Sequence, residues 1–245
     1  MYIGLKHIAK KLIPNAVLKK NERFFRALIS KYYVGQNQQC NICEFNLKHF
    51  VKRTNSDLLC PNCGSLSRTR RLFETLNALE VKGKLLHFSP PKSLVTKLKA
   101  KNNIDYITTD FVGEFETDFQ FDITAITADS NSFDVIVCYH VLEHIEADNK
   151  AMSELYRILK PNGICLIQTP FKDGDIYEDF SITTKPEREK AFGQDDHVRI
   201  YSVEGLNTRL RKTGFQTEIM PFEVSKTNRF GFITEIVIKA MKPSS

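Results

Sequence analysis

At 245 residues, with 42% hydrophobic and 26% charged residues, the chain can bury one α/β core and still supply a small accessory module. It holds no run of about 18 uncharged apolar residues, and its start has neither the apolar centre nor the cleavage site of a secretory signal, so membrane-spanning and secreted classes are disfavoured and a cytoplasmic protein is expected. The net charge of +6 gathers towards the start, around Lys10, Lys11, Lys19, Lys20, Arg68, Arg70 and Arg71, which hints at an anionic partner.

From Met1 to about Tyr33, Leu5, Ile8, Leu12, Phe24, Phe25, Leu28 and Tyr32 recur at helical spacing with lysines between them. The pattern predicts two short helices broken near Pro14, a basic amphipathic segment over residues 1–34. Such a segment packs on its own domain or lies peripherally on a membrane surface, and packing is the commoner outcome. Residues 35–66 are polar and too few to form a core alone. Within them Cys40-x2-Cys43 and Cys60-x2-Cys63 have the spacing of a zinc ribbon, each pair closing a tight turn that aims two sulfurs at one ion. Four thiolates fill a tetrahedral shell, so the expected Zn2+ is structural. Cys138 and Cys165 stand alone in apolar stretches. A helix is expected to start at Ser65 or Ser67 and to run through Leu72, Phe73, Leu76 and Leu79 towards Gly83. Its arginines, Arg68, Arg70 and Arg71, form either a phosphate-binding face or a merely solvated one.

Residues 67–245 are expected to form one α/β domain, because from Lys84 onward strand-like runs alternate with helical stretches. That alternation means a mainly parallel sheet with helices on its faces. The last two strands, QTEIMPF and FITEIVIKAM, are joined by a loop too short for a crossover helix, so they should pair antiparallel at or near the sheet edge. The stretch from Phe171 to Ile200 is long, charged and poor in periodicity, which suits a lid or binding loop that selects the substrate.

The run Ser132-Phe133-Asp134-Val135-Ile136-Val137-Cys138-Tyr139-His140-Val141-Leu142-Glu143-His144-Ile145, followed by Glu154-Leu155-Tyr156-Arg157-Ile158-Leu159-Lys160-Pro161-Asn162-Gly163, resembles the fourth strand, next helix and fifth-strand turn of class I S-adenosylmethionine-dependent methyltransferases. The resemblance extends over about residues 84 to 242 and is to the methyltransferase type 11-like group, in a branch with N-terminal cysteine pairs. It implies a seven-stranded Rossmann-like sheet carrying the small zinc-ribbon module in front.

In such a sheet the ligand lies outside the carboxyl ends of the strands, where strand order reverses. Asp110, about 20 residues beyond the first strand, is placed to accept the ribose hydroxyls of S-adenosylmethionine. The resemblance puts Asp122 against the adenine amino group with Ile123 on the ring, although either aspartate could instead cap a helix or sit solvated in a loop. His87, Ser89, Pro90, Phe111, Tyr139 and His140 complete the expected cofactor set. The first loop reads His87-Phe88-Ser89-Pro90-Pro91-Lys92 and lacks the family's glycines, so contacts to the methionine end must differ. The same absence, with that of a P-loop, argues against nicotinamide enzymes and nucleotide hydrolases.

For the chemistry, His197 is the candidate general base with Asp196 or Arg199 orienting it or the substrate, His140 lines the pocket, and the alternative is that His197 is a surface histidine capping the next helix near Ser202. His140, Glu143 and His144 imitate a metal site at helical spacing, but the sequence offers no third credible ligand beside them. The expected function is O-methylation of a sugar, glycan or other small-molecule acceptor. Alternatives are an RNA methyltransferase that holds RNA through the zinc module and arginines, and a non-catalytic binding protein with a methyltransferase-like fold.

Overall fold

The computed structural model describes residues 17, 21–54, 56–111, 113 and 116–244. Most of the expected N-terminal amphipathic segment therefore lies outside the described residues. Its last part forms α1 (Glu22–Ser30) followed by a 3-10 turn, Lys31–Tyr33. Among the described residues no helix is long and apolar enough to cross a membrane.

The chain divides into two compact units, one formed by residues up to Glu80 with Pro91–Lys97 and Glu223–Glu235, the other by Val81–Pro90, Leu98–Phe222 and the chain from Ile236. In the first, β1 (Val34–Gln39) pairs antiparallel with β2 (Asn46–Leu47), and β3 (Val51–Lys52) with β4 (Leu58–Leu59). The helix α2 (Ser67–Ala78) follows. Neither expected serine caps it: Leu66 is at the cap, while the buried Asp57 carboxylate accepts from the Ser67 N–H at 3.2 Å and from the Leu58 N–H at 2.7 Å. A carboxylate at a helix N-terminus satisfies an orphan donor and opposes the helix dipole, so a serine cap is not needed. A small apolar core of Tyr33, Val51 and Leu59 gathers Ile29, Phe45 and Leu66.

The second unit holds a six-stranded sheet in the order β11-β12-β8-β7-β5-β6. Its strands are β5 (Gly83–Phe88), β6 (Ile104–Thr109), β7 (Phe133–Tyr139), β8 (Leu159–Gln168), β11 (Gln216–Phe222) and β12 (Glu235–Met241). β6, β5, β7 and β8 run parallel, and β12 is antiparallel to β8. Helices α3 (Lys92–Lys99), α4 (Asp148–Ile158) and α6 (Val203–Thr213) alternate with the strands. Strands buried on both faces read as apolar runs, and β7 shows it, with six of its seven residues buried. The core includes Leu86, Ile136, Met152, Leu155, Leu166 and Leu206.

Two expectations need correction. Among the described residues the sheet has six strands, not seven, and next to β6 they show a single parallel bridge, Thr109 to Phe119. Its polar atoms are satisfied locally, the Asp118 carboxylate accepting from the Thr108 N–H at 2.9 Å and from its hydroxyl at 2.7 Å. The stretch after Phe171 is not an irregular loop. It forms β9 (Tyr177–Glu178), α5 (Lys185–Phe192) and β10 (Arg199–Ile200), with β9 and β10 antiparallel. α5 has little apolar face, and its signal lay in its ends: a capping box between Thr184 and Glu187, and Gly193 at φ 84° beyond the last turn.

Candidate active site

The chain leaves β5 for β6 on one side and returns to β7 on the other, so strand order reverses between β5 and β7. Their ends lie level, Phe88 facing Thr109 and Cys138 across the ladders. At this switch point the backbone turns sharply at two non-glycine residues, Ser89 at φ 48° and His140 at φ 54°. Left-handed backbone at non-glycine positions costs energy and gathers at functional sites. Ser89 thus makes the turn that a glycine usually makes. Its N–H donates to the Thr109 carbonyl at 2.7 Å and its hydroxyl to Asp110 Oδ1 at 2.7 Å, clasping the ends of β5 and β6. His140 is held where its N–H meets the Gln168 carbonyl at 2.8 Å. At the end of β8, Gln168 Oε1 and Thr169 Oγ1 are buried without a hydrogen-bond partner among the described residues. Sequence reasoning did not select these two, and nothing in their spacing marks them.

The expected residues fall into groups. Ser89, Pro90, Asp110, Tyr139 and His140 sit at the strand ends, and Phe111 follows with its ring 66% exposed. His87 does not belong with them. Along β5 the side chains alternate, Leu86 and Phe88 entering the main core, so His87 faces the other way, where its Nδ1 bonds the Tyr106 hydroxyl at 2.9 Å. Burial pushes its imidazole down to about 3, so it is a neutral core residue. Asp122 accepts from the Thr124 N–H and hydroxyl, both at 2.8 Å, and Ile123 is packed into the main core.

A second constellation lies just beyond β7, on the 3-10 turn Leu142–His144. His140 Nδ1 is 3.1 Å from Glu143 Oε1, and His144 Nδ1 is 3.3 Å from Asp196 Oδ2. The His144 ring meets that of His197 edge-on at 4.6 Å. Asp196 therefore touches His144, and its charge also acts on the adjacent His197. His197 is buried, its Nε2 has no hydrogen-bond partner among the described residues, and burial with the nearby His144 holds it below the usual imidazole range. It is not the surface residue of the alternative reading, although Ser202 does cap α6, accepting from the Gly205 N–H at 3.1 Å. Burial would raise the Glu143 carboxyl, but the facing His140 outweighs it and holds the group low.

Arg199 has a structural task instead of an orienting one. Wholly buried, it donates to the Leu142, Ile145 and Glu146 carbonyls and pairs with Glu178 at 2.9 Å, tying β10 to the turn after β7. Asp148 and Arg209 complete the network at 2.5 Å, and the Tyr201 hydroxyl donates to Asp148 at 2.6 Å.

A family profile described as a methyltransferase domain matches residues 63–218, well over half of the chain. The chain belongs to this methyltransferase-domain family. It is similar to an uncharacterized protein of Methanocaldococcus jannaschii, 38% identical over 76 residues, 29% of this chain and 33% of that one. It is also similar to a probable S-adenosylmethionine-dependent methyltransferase of Mycolicibacterium smegmatis, 31% identical over 87 residues, 36% of this chain and 30% of that one. The chain thus spans about a third of the length of the curated relatives it matches. Among solved structures the cyclase SpnF superposes with a TM-score of 0.55 at 14% identity, over 94% of this chain and 96% of that one, a likeness of fold alone.

At the strand ends the Ser89–Asp110 clasp and the unpartnered Gln168 and Thr169 oxygens are the polar groups that a cofactor of this family would meet. The methyltransferase also carries the four cysteines close together. Their knuckles are alike: the Glu44 N–H donates to the Cys40 carbonyl at 2.8 Å and the Gly64 N–H to the Cys60 carbonyl at 3.0 Å, both donors at positive φ. The sulfurs of Cys40 and Cys63 are 3.7 Å apart and those of Cys43 and Cys60 3.8 Å. A tetrahedral ion with bonds of 2.3 Å to sulfur needs about 3.8 Å. Hydrogen bonds from Cys43, Cys60 and Cys63 hold the Cys40 thiol far below its usual range, and Cys60 is pushed far above it, chiefly by Cys40.

Arg70 and Arg71 form neither a phosphate-binding face nor a solvated one. Arg70 is wholly buried, stacked 3.9 Å over Phe50 and donating to the carbonyls of Leu58, Ser65, Phe230 and Gly231. Arg71 is buried against Phe232 and lies 3.7 Å from Glu235. Of the three, only Arg68 remains partly exposed, 3.9 Å from Asp57.

Proposed function

We propose that this methyltransferase moves the methyl group of S-adenosylmethionine to a hydroxyl oxygen of a small molecule, with sugars the first acceptors to test. The observation that carries the choice of oxygen is the buried His197, whose lowered basicity leaves it uncharged at neutral pH with Nε2 open to a proton. A hydroxyl, unlike an amine, needs that service. The acceptor oxygen's lone pair forms the new bond to the methyl carbon, the carbon–sulfur pair passes to sulfur to give S-adenosylhomocysteine, and the hydroxyl proton goes to His197. Asp110 would take the ribose hydroxyls, and Gln168 and Thr169 would meet the rest of the cofactor or the acceptor. Holding donor and acceptor in line supplies most of the acceleration.

The four cysteines are read as a structural Zn2+ site, since four thiolates leave no open position. The RNA alternative is weakened by the burial of Arg70 and Arg71. The non-catalytic alternative loses its motive, because Ser89 makes the turn without glycine. The test is transfer of labelled methyl from S-adenosylmethionine to a panel of sugar and phenol hydroxyls. His197→Ala should lower kcat about 10²–10⁴-fold with S-adenosylhomocysteine affinity nearly unchanged. Undiminished turnover would remove His197 from the mechanism.

A further inference from the structure

Glu143 and His144 are neighbours in the sequence, and His197, far along the chain from both, meets them in space. The chain returning through Asp195 to Val198 is pinned beside the turn after β7 where the Val198 N–H donates to the Glu143 carbonyl at 3.0 Å. One ligating atom from each of the three residues lies within 4.8 Å of the others. His140 stands next to them, 3.1 Å from Glu143.

The burial is hard to explain without a cation. Glu143 is 1% exposed, yet neither carboxylate oxygen has a hydrogen-bond partner among the described residues, and the same holds for Nε2 of both His140 and His197. A buried carboxylate without hydrogen bonds is destabilising unless positive charge faces it. His140 Nδ1 stands 3.1 Å from Oε1 only, which leaves Oε2 unmet. A divalent ion would satisfy the carboxylate and the open imidazole nitrogens together.

The donor set narrows the ion. Two or three imidazoles with one carboxylate suit Zn2+, Fe2+, Co2+ or Mn2+, whereas Mg2+ and Ca2+ prefer oxygen alone and Cu+ prefers sulfur. We propose that Glu143, His144 and His197, with His140 in reach as a fourth ligand, hold one divalent first-row transition ion. His144 Nδ1 is turned to Asp196, which leaves its other nitrogen for the ion and makes Asp196 the outer carboxylate that orients a ligating imidazole. Ligands about 2.0–2.2 Å from an ion lie about 3.3–3.6 Å apart in a tetrahedral shell, so the site contracts on binding. His144, partly exposed, is the side chain able to move.

Its use rests on the O-methylation reading. An open coordination position takes the acceptor hydroxyl and makes its proton easier to lose, the proton passing to solvent while oxygen attacks the methyl carbon and sulfur keeps the carbon–sulfur pair. With the ion bound His197 would serve as a ligand, and the base role proposed above would be that of the ion-free site.

The test titrates Co2+ into the full chain with its cysteines loaded with Zn2+, following visible absorption, metal content and S-adenosylhomocysteine binding in parallel. The expected result is one further equivalent of Co2+, with the weak bands of a nitrogen and oxygen shell and none of the intense thiolate charge transfer. Glu143→Gln and His144→Ala should bind it at least about tenfold more weakly while melting as cooperatively as the wild type. No further equivalent in the wild type, with S-adenosylhomocysteine still bound, overturns the ion site and leaves His197 as base. Uptake that both variants retain also overturns it. Uptake lost in the variants, with no S-adenosylhomocysteine binding by the wild type, supports the ion site and sinks methyl transfer.

Discussion

Ser89, Asp110 and His197 divide the labour of the site, and single substitutions should separate them. Asp110→Ala removes a charged acceptor and releases the Ser89 hydroxyl, so S-adenosylhomocysteine should bind about 10–100-fold more weakly. His197→Ala should leave that affinity within about twofold. Calorimetric titration reads both, and equal losses in the two variants would contradict the division. His87 belongs to stability instead. Its folded form is neutral to about 3 while an unfolded chain takes a proton near 6.5, so the stability it contributes is present above 6.5 and is lost as pH falls towards 3. Up to about 5 kcal/mol is at stake over that window. Urea unfolding of wild type and His87→Leu should converge as pH falls from 6.5 to 4, and parallel curves would contradict the account.

Among the elements, β7 and the second half of β8 were legible because strands buried on both faces leave apolar runs, and β5 and β6 because short strand-like runs alternate with helical stretches. The cysteine knuckles were legible because metal spacing is local. The seventh strand was expected from the resemblance, and the chain past β6 spends its hydrogen bonds on the Asp118 side chain instead. α5 escaped because a solvated helix carries its signal in its caps and not in an apolar stripe. Arg70 looked like a surface cation because no sequence pattern shows that four carbonyls await it. The meeting of Glu143 and His144 with His197 depends on a chain return that spacing does not encode. The paired knuckles lead to a prediction of their own. Stripping the metal should remove hydrogen-exchange protection from β1 to β4, which have little core beyond Tyr33, Val51 and Leu59, and leave β7 and β8 protected. Unchanged protection in β1 to β4 after chelation would show that the cysteines hold no stabilising ion.

For the whole molecule, the reversal of strand order between β5 and β7 decides where a ligand can lie. SpnF shares the fold under the name of a cyclase, so the fold alone leaves the chemistry open and binding of the cofactor is the claim on which the rest depends. The most direct measurement is calorimetric titration of the full, zinc-loaded chain with S-adenosylhomocysteine. The account predicts one site of micromolar affinity, lost first in Asp110→Ala. No heat at millimolar ligand, from a chain that melts cooperatively, would contradict it.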